Sequence, residues 1–311
     1  MSQEAKQEKL NIAIVLDSSS SMNCTKDAAL QGYNECVDQM RKDAADADIK
    51  ACLVTFDSDV YEHHWLVPAV DVPNATGKDY VCSGMTAFRD AIGYTIKKLM
   101  DTTDLDDDDS SYLVMVISDG DENSSSVVQQ GALKELIDSC QEPKWKITYM
   151  GCDPSHVEEV ARTTGIHLQD CAAWSNRSKG HTLGALRCAS ASMGRFTQNR
   201  VADDTAACAF YGSDDNGDTL GADFSDTVAD DVDNDATGDK DPADLNGAPP
   251  AASQFDNDVQ VGSFLRTAFD KTSGFSSKRC GGAACATMTT KKGKKVSSDD
   301  LQTYWQKHFD K

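Results

Sequence analysis

Long apolar runs are missing from this 311-residue chain. No stretch approaches the roughly twenty residues that a membrane-spanning helix needs. The opening Met1 to Lys9 is polar and lacks the apolar core of a signal peptide. Positive charge is scarce as well, with 30 Lys and Arg against 51 Asp and Glu and a formal net charge of −21. That balance argues against nucleic acid or an anionic membrane as the main partner. The 11 cysteines form no disulfide framework, being odd in number and widely scattered. Cys36, Cys52, Cys140, Cys152 and Cys188 fall within expected strands or helices and read as buried thiols of a reducing compartment. A cytoplasmic protein is expected, or a virion protein assembled in the cytoplasm. Cys280 and Cys285 are the one close pair, and with no second pair nearby they make no structural zinc site. His63 and His64 are adjacent in an expected strand. Alternation places their side chains on opposite faces, where they cannot share a metal.

What the chain does contain is alternation of strands and helices from residue 11 to 202. Strands are expected at 11–17, 50–56, 60–67, 112–118, 145–151 and 166–170, from short apolar runs bounded by turn residues. Helices follow from apolar residues on one face: Ala29 to Met40, Ile92 to Leu99, Val128 to Cys140 and Leu183 to Phe196. The short link Asp57-Ser58-Asp59 fits a hairpin, so one strand should run antiparallel. The expected fold is α/β: a doubly wound, mostly parallel six-stranded sheet flanked by helices, after a polar tail at 1–10. Composition then changes. Between Asp203 and Asp258 the acids are 16 Asp against one cation, Lys240, a net −15, which reads as a disordered acidic linker. A basic segment, 259–311, carries Lys291, Lys292, Lys294 and Lys295 and ends in an amphipathic helix near 299–309. Ser297 and Asp300 have the spacing of a capping box. Its face of Leu301, Tyr304, Trp305, His308 and Phe309 suits docking either on the α/β domain or on a partner.

The chemistry sits at strand ends. The first strand runs into Asp17-Ser18-Ser19-Ser20-Ser21, the fourth into Asp119-Gly120, and Ser83-Gly84-Met85-Thr86 opens a helix between them. Asp17, Ser19, Ser21, Thr86 and Asp119 offer five hard oxygen donors, the kind Mg²⁺ accepts. In a doubly wound sheet, ligands bind beyond the carboxyl ends of the strands where the strand order reverses, and Asp17 and Asp119 belong at that crevice. Two carboxylates brought together repel unless a cation or proton lies between them. The competing reading is that Ser19 and Ser21 cap a helix and Asp119 makes a turn.

Asp-x-Ser-x-Ser at 17–21, Gly-x-Thr at 84–86 and Ser-Asp-Gly at 118–120, in that order, resemble the von Willebrand factor type A domain and its metal-ion-dependent adhesion site. The resemblance covers about residues 10 to 200. One departure is Ser83, where many members carry a first glycine. The resemblance implies that Asp17, Ser19, Ser21, Thr86 and Asp119 hold Mg²⁺, with Mn²⁺ or Ca²⁺ as substitutes. It implies an open coordination position that a partner's Asp or Glu fills. Members of bacterial and phage origin serve assemblies, and several act beside AAA+ ATPases. No Walker phosphate loop is present here, so such an ATPase is a separate subunit.

Other chemistries fit less well. Asp-x-Ser at 17–19 lacks the second acid of an aspartyl phosphotransferase, and Ser19 has no pKa suited to general acid work. Neither Ser19 nor Ser21 lies in a Gly-x-Ser-x-Gly elbow. No enzyme is expected. Asp233-x-Asp235-x-Thr237-Gly238 with Asp244 imitates a calcium loop, but Pro242 intrudes and no amphipathic helices flank it, so it reads as solvated linker. The expected function is a metal-dependent protein-binding module. The alternative is a structural virion or assembly component whose metal mainly stabilises the fold.

Overall fold

A computed structural model describes residues 8–140, 144–174, 179–202, 209–211 and 293–306. Alternating strands and helices build a three-layer α/β fold around a seven-stranded sheet. The strands are β1 (Lys9–Asp17), β2 (Asp48–Phe56), β3 (Val60–Pro68), β4 (Ser110–Ile117), β5 (Trp145–Gly151), β6 (Cys171–Ala173) and β7 (Lys294–Lys295), in the order β6-β5-β4-β1-β2-β3-β7. β6, β5, β4, β1 and β2 run parallel, whereas β3 and β7 pair antiparallel. The helices are α1 (Lys26–Asp43), α2 (Phe88–Thr102), α3 (Gln130–Ser139), α4 (Pro154–Thr164), α5 (Lys179–Val201) and α6 (Ser298–Gln306).

Strand alternation sorts the apolar residues into two cores. Leu10, Ile12, Ile14 and Leu16 of β1 join Leu113, Met115 and Ile117 of β4 beneath α1 and α5, where Tyr33, Val37, Met40, Leu186 and Met193 are buried. Ala13 and Val15, with Tyr112, Val114 and Val116, face α2, α3 and α4 on the other side. Both faces of β1 and β4 are therefore covered, so these strands read as unbroken apolar runs. Cys36, Cys52 and Cys140 are buried thiols whose pKa burial pushes up to about 12, which keeps them protonated and unreactive. Cys152 and Cys188 are only half-buried.

The structure departs from the sequence reading in four places. First, the strand expected at 166–170 is instead a loop with a 3-10 turn at Leu168–Asp170, and the edge strand follows at Cys171–Ala173. Asp170 is drawn inward there, pairing with Lys146 of β5 at 3.2 Å and accepting the Phe210 amide at 2.9 Å. Second, β7 makes seven strands rather than six. Third, α4 is a helix that apolar periodicity does not announce, because its buried stripe of Val157, Val160, Ala161 and Thr164 is short and small. Its ends are well marked: Asp153 caps the Ser155 and His156 amides, Pro154 opens it, and Gly165 at φ 84° closes it. Fourth, both histidines reach the α1 side. The β2–β3 register slips between Leu53 and Val54. The resulting bulge brings His63 Nε2 to 2.8 Å from Thr55 Oγ1 and His64 Nε2 to 3.4 Å from the Tyr33 hydroxyl. Burial lowers the pKa of both, that of His64 to about 4.

Phe210 is buried against Phe196, so packing continues past α5 into the start of the Asp-rich stretch. Residues 203–208 and 212–258 lie outside the described residues, as do Cys280, Cys285, Lys291, Lys292, His308 and Phe309. Among the described residues no helix is long and apolar enough to cross a membrane.

The C-terminal helix docks on its own domain. β7 pairs with Tyr61 and Glu62 of β3, Val296 and Leu301 are buried, and Tyr304 meets Tyr94 of α2 edge-on at 5.6 Å. Lys97 lies over the Trp305 ring at 5.7 Å. Ser297 accepts the Asp300 amide at 3.0 Å and donates its hydroxyl to that carboxylate, capping the helix as its spacing suggests. Leu301→Ala should therefore cost about 2–3 kcal/mol, at the low end for a buried leucine, and lower the melting temperature by roughly 4–10 °C. Thermal denaturation of the full chain checks this. An unchanged melting temperature would show that the helix lies outside the cooperative unit.

Candidate metal centre

β1 and β4 are neighbours in parallel register, Leu16 opposite Ile117. Their carboxyl ends deliver Asp17 and the Ser118-Asp119-Gly120 turn side by side. β1 is followed in space by β2 on one side and β4 on the other, so the crevice between β1 and β4 is the switch point of the sheet. The loop before α2 enters the same crevice. It is tied down by Ser83 N–H to Ser18 C=O at 2.8 Å and by Ser20 N–H to Gly84 C=O at 3.3 Å. Gly84 adopts φ 73°, the left-handed region, and a Cβ there would fall 2.7 Å from Ser58 Oγ.

All five expected donors converge. Asp17 is fully buried; its Oδ1 accepts the Ser19 amide at 2.6 Å and its Oδ2 the Ser118 hydroxyl at 2.5 Å. Ser19 Oγ lies 2.9 Å from Ser21 Oγ, which donates to Asp119 Oδ1 at 2.6 Å. Thr86 brings its hydroxyl to the same place, beside Gly120. A Cβ built on Gly120 would lie 3.3 Å from both Ser21 Oγ and Thr86 Oγ1 and 3.8 Å from Asp17 Oδ2. The missing side chain at 120 therefore leaves a cradle with oxygen atoms from two separate segments, the 17–21 loop and Thr86, around it. Ser19 stands at the N-cap of a 3-10 turn, Ser20–Cys24, yet its hydroxyl makes no capping bond. Helix capping does not explain it.

Two residues that the sequence reading left out support the ring. The Ser118 hydroxyl holds Asp17, and the buried Tyr80 hydroxyl donates to the Asp17 main-chain carbonyl. Ser118 was visible in the motif as the residue before Asp119. Tyr80 lies in an irregular loop with no periodic pattern to mark it.

The electrostatics are those of a site short of positive charge. Burial raises the Asp17 pKa to about 6, against the lowering effect of its hydrogen bonds from Ser118 and Ser19, and nearby Asp119 adds to the rise. Burial also raises Asp119, offset by the Ser21 hydroxyl. Two carboxylates, three hydroxyls and no cation among them match the hard oxygen set that Mg²⁺ takes. Among the described residues no cluster of three or more His, Cys, Asp or Glu side chains is placed to hold a metal.

The strand order and the switch-point crevice give the described residues a von Willebrand factor type A-like fold. No protein-family model matches the sequence, and no curated protein does. Solved structures with a similar fold include a von Willebrand factor type A protein from Catenulispora acidiphila, at 15% identity over 60% of this chain and 42% of that one, TM-score 0.41. Proximal thread matrix protein 1 from the mussel byssus, solved with a zinc-occupied adhesion motif, shares 14% identity over 64% and 46% of the two chains, TM-score 0.38. The PilB minor pilin from Streptococcus sanguinis shares 9% identity over 62% and 63%, TM-score 0.45. This chain spans less than two thirds of the length of each.

The raised Asp17 pKa fixes a sign for the metal-free protein. Its folded value, about 6, lies above the ordinary 3.8, so the folded state holds the proton more tightly. This contribution is present below pH 4 and is lost as pH rises from about 4 to 6. In EDTA, Asp17→Asn should match wild type near pH 4 and exceed it at pH 7 by about 3 kcal/mol. Melting curves across that range test it; a pH-independent difference between the two proteins would contradict the assignment.

Proposed function

We propose that this protein is a metal-dependent protein-binding module whose Mg²⁺ centre takes a carboxylate from a partner. The convergence of Asp17, Ser19, Ser21, Thr86 and Asp119 on the cradle beside Gly120 carries this reading. Bound Mg²⁺, or Mn²⁺ or Ca²⁺ in its place, supplies the positive charge the two buried acids lack and a Lewis-acid position for an incoming Asp or Glu. Asp17 and Asp119 provide charge, and Ser19, Ser21 and Thr86 provide neutral donors. Neutral hydroxyls add no further negative charge, so the two carboxylates balance the ion and an acidic partner would meet a neutral centre with an open Lewis-acid position. Without the ion, Asp17 and Asp119 repel the same carboxylate.

The proposal assigns this site no catalytic step. Buried thiols that burial keeps protonated suit a reducing compartment, and the proposal places the protein in the cytoplasm or in a virion assembled there. A separate AAA+ ATPase or a viral assembly is the kind of partner proposed.

Two measurements test this. Mg²⁺ should raise the melting temperature of the full chain, since an ion that binds only the folded state stabilises it by mass action. Asp17→Ala together with Asp119→Ala should abolish that rise while the metal-free protein still folds. An equal Mg²⁺ shift in wild type and double variant would remove these residues from the site. Partners that co-purify with the full chain in Mg²⁺ should be released by EDTA and absent from Asp17→Ala. A partner retained under both conditions would point instead to an assembly component with a structural metal.

A further inference from the structure

Thr86 is the one expected donor that does not follow a strand end in the sequence, and a neutral hydroxyl contributes to an ion only if it is held in place. Its main chain is held by two residues of the loop after Asp119, and Asn123 is the one that bonds both its N–H and its C=O. Thr86 N–H donates to Asn123 Oδ1 at 2.8 Å, and Thr86 C=O accepts Asn123 N–H at 3.1 Å and Ser124 N–H at 3.3 Å. The neighbouring residues lock the same two segments together. Glu122 Oε2 accepts the Arg89 amide of the first turn of α2 at 2.8 Å, and its Oε1 accepts the Ser124 and Ser125 amides at 2.9 and 2.7 Å. In return Asp90, buried in that turn, accepts the Ser126 amide at 2.9 Å and the Val128 amide at 2.7 Å. Ser125 joins the two acids, donating its hydroxyl to Glu122 and accepting the Asp90 amide. Each segment thus satisfies the otherwise unpaired amides of the other.

We propose that Asn123 is a positioning residue of the metal centre, which fixes Thr86 relative to Asp119 without touching the ion. The proposal rests on the reading of the five oxygen donors as a metal site. Removing the Asn123 side chain leaves the buried Thr86 amide without its acceptor, and the hydroxyl beside it loses its fixed place. Outer-shell partners of this kind change metal affinity about tenfold or more when removed.

The experiment is a double-mutant cycle on the full chain, with the dissociation constant for Mn²⁺ measured by calorimetry. Asn123→Ala should weaken Mn²⁺ binding about tenfold. On a Thr86→Ala background the same change should have less than about a twofold effect, because the ligand it positions is gone. Asn123→Gln displaces the acceptor yet keeps an amide, and it carries the same cycle should the alanine variant not fold. Equal losses with and without Thr86, or wild-type affinity in both Asn123 variants, would overturn the proposal and leave the metal centre standing. Failure of the wild type itself to bind Mn²⁺ would overturn the metal centre and this inference together.

Discussion

Burial of Asp17 is the constraint around which this structure is organised. A carboxylate at the end of the central strand, with none of its surface exposed and a second acid beside it, is unfavourable unless something compensates. Among the described residues the compensation is neutral: the Ser19 amide, the Ser118 hydroxyl and a hydroxyl relay through Ser21 to Asp119. These bonds orient the acids but do not cancel their charge. A doubly wound sheet makes the arrangement possible, because β1 and β4 end together while their connections depart to opposite faces, leaving an open crevice. Polar loops fill the rim of that crevice, and both apolar cores lie below it.

The part of the site that lies within strand-end motifs was open to sequence reading. Asp17, Ser19, Ser21 and Asp119 follow directly from apolar runs, and their place in the fold follows once those runs are parallel neighbours. Thr86 followed from its position ahead of an amphipathic helix. The supporting contacts were hidden because they join residues far apart in the chain. Ser118 reaches Asp17 across 101 positions and Asn123 reaches Thr86 across 37, and neither pairing leaves a local pattern. The errors in the fold have the same origin. The segment 166–170 holds a 3-10 turn whose last residue, Asp170, is buried against Lys146, a long-range pairing with no local pattern to mark it. The histidines were assigned opposite faces because a bulge in β3 breaks strict alternation. The helix at Pro154–Thr164 was written in its caps rather than in its apolar stripe.

The C-terminal segment solves a separate problem, the exposed edge of the sheet. β3 would otherwise present its outer backbone to solvent; instead β7 pairs with Tyr61 and Glu62, and Lys295 reaches Asp59 at 2.6 Å. The part of the edge that β7 forms is two residues long and both are lysine, a combination that discourages further strand pairing there. From there Val296 and Leu301 enter the same apolar layer as Phe88 and Ala91 of α2. The residues that lead from Thr86 into that helix are thus packed from two directions, by the loop of Glu122 and Asn123 at its start and by α6 along its side. Glu62 adds a further tie, accepting from both Tyr94 and Lys98 of α2.

The central claim is that a divalent cation occupies the cradle beside Gly120. Crystals grown with Mn²⁺ test it most directly, through the anomalous signal of the ion. The account predicts one strong peak bounded by Ser19, Ser21 and Thr86 hydroxyls and by the Asp17 and Asp119 carboxylates, with the Ser21–Asp119 hydrogen bond replaced or relayed by the ion. A map with no peak in that crevice, at saturating Mn²⁺ and with the loops ordered, would contradict it.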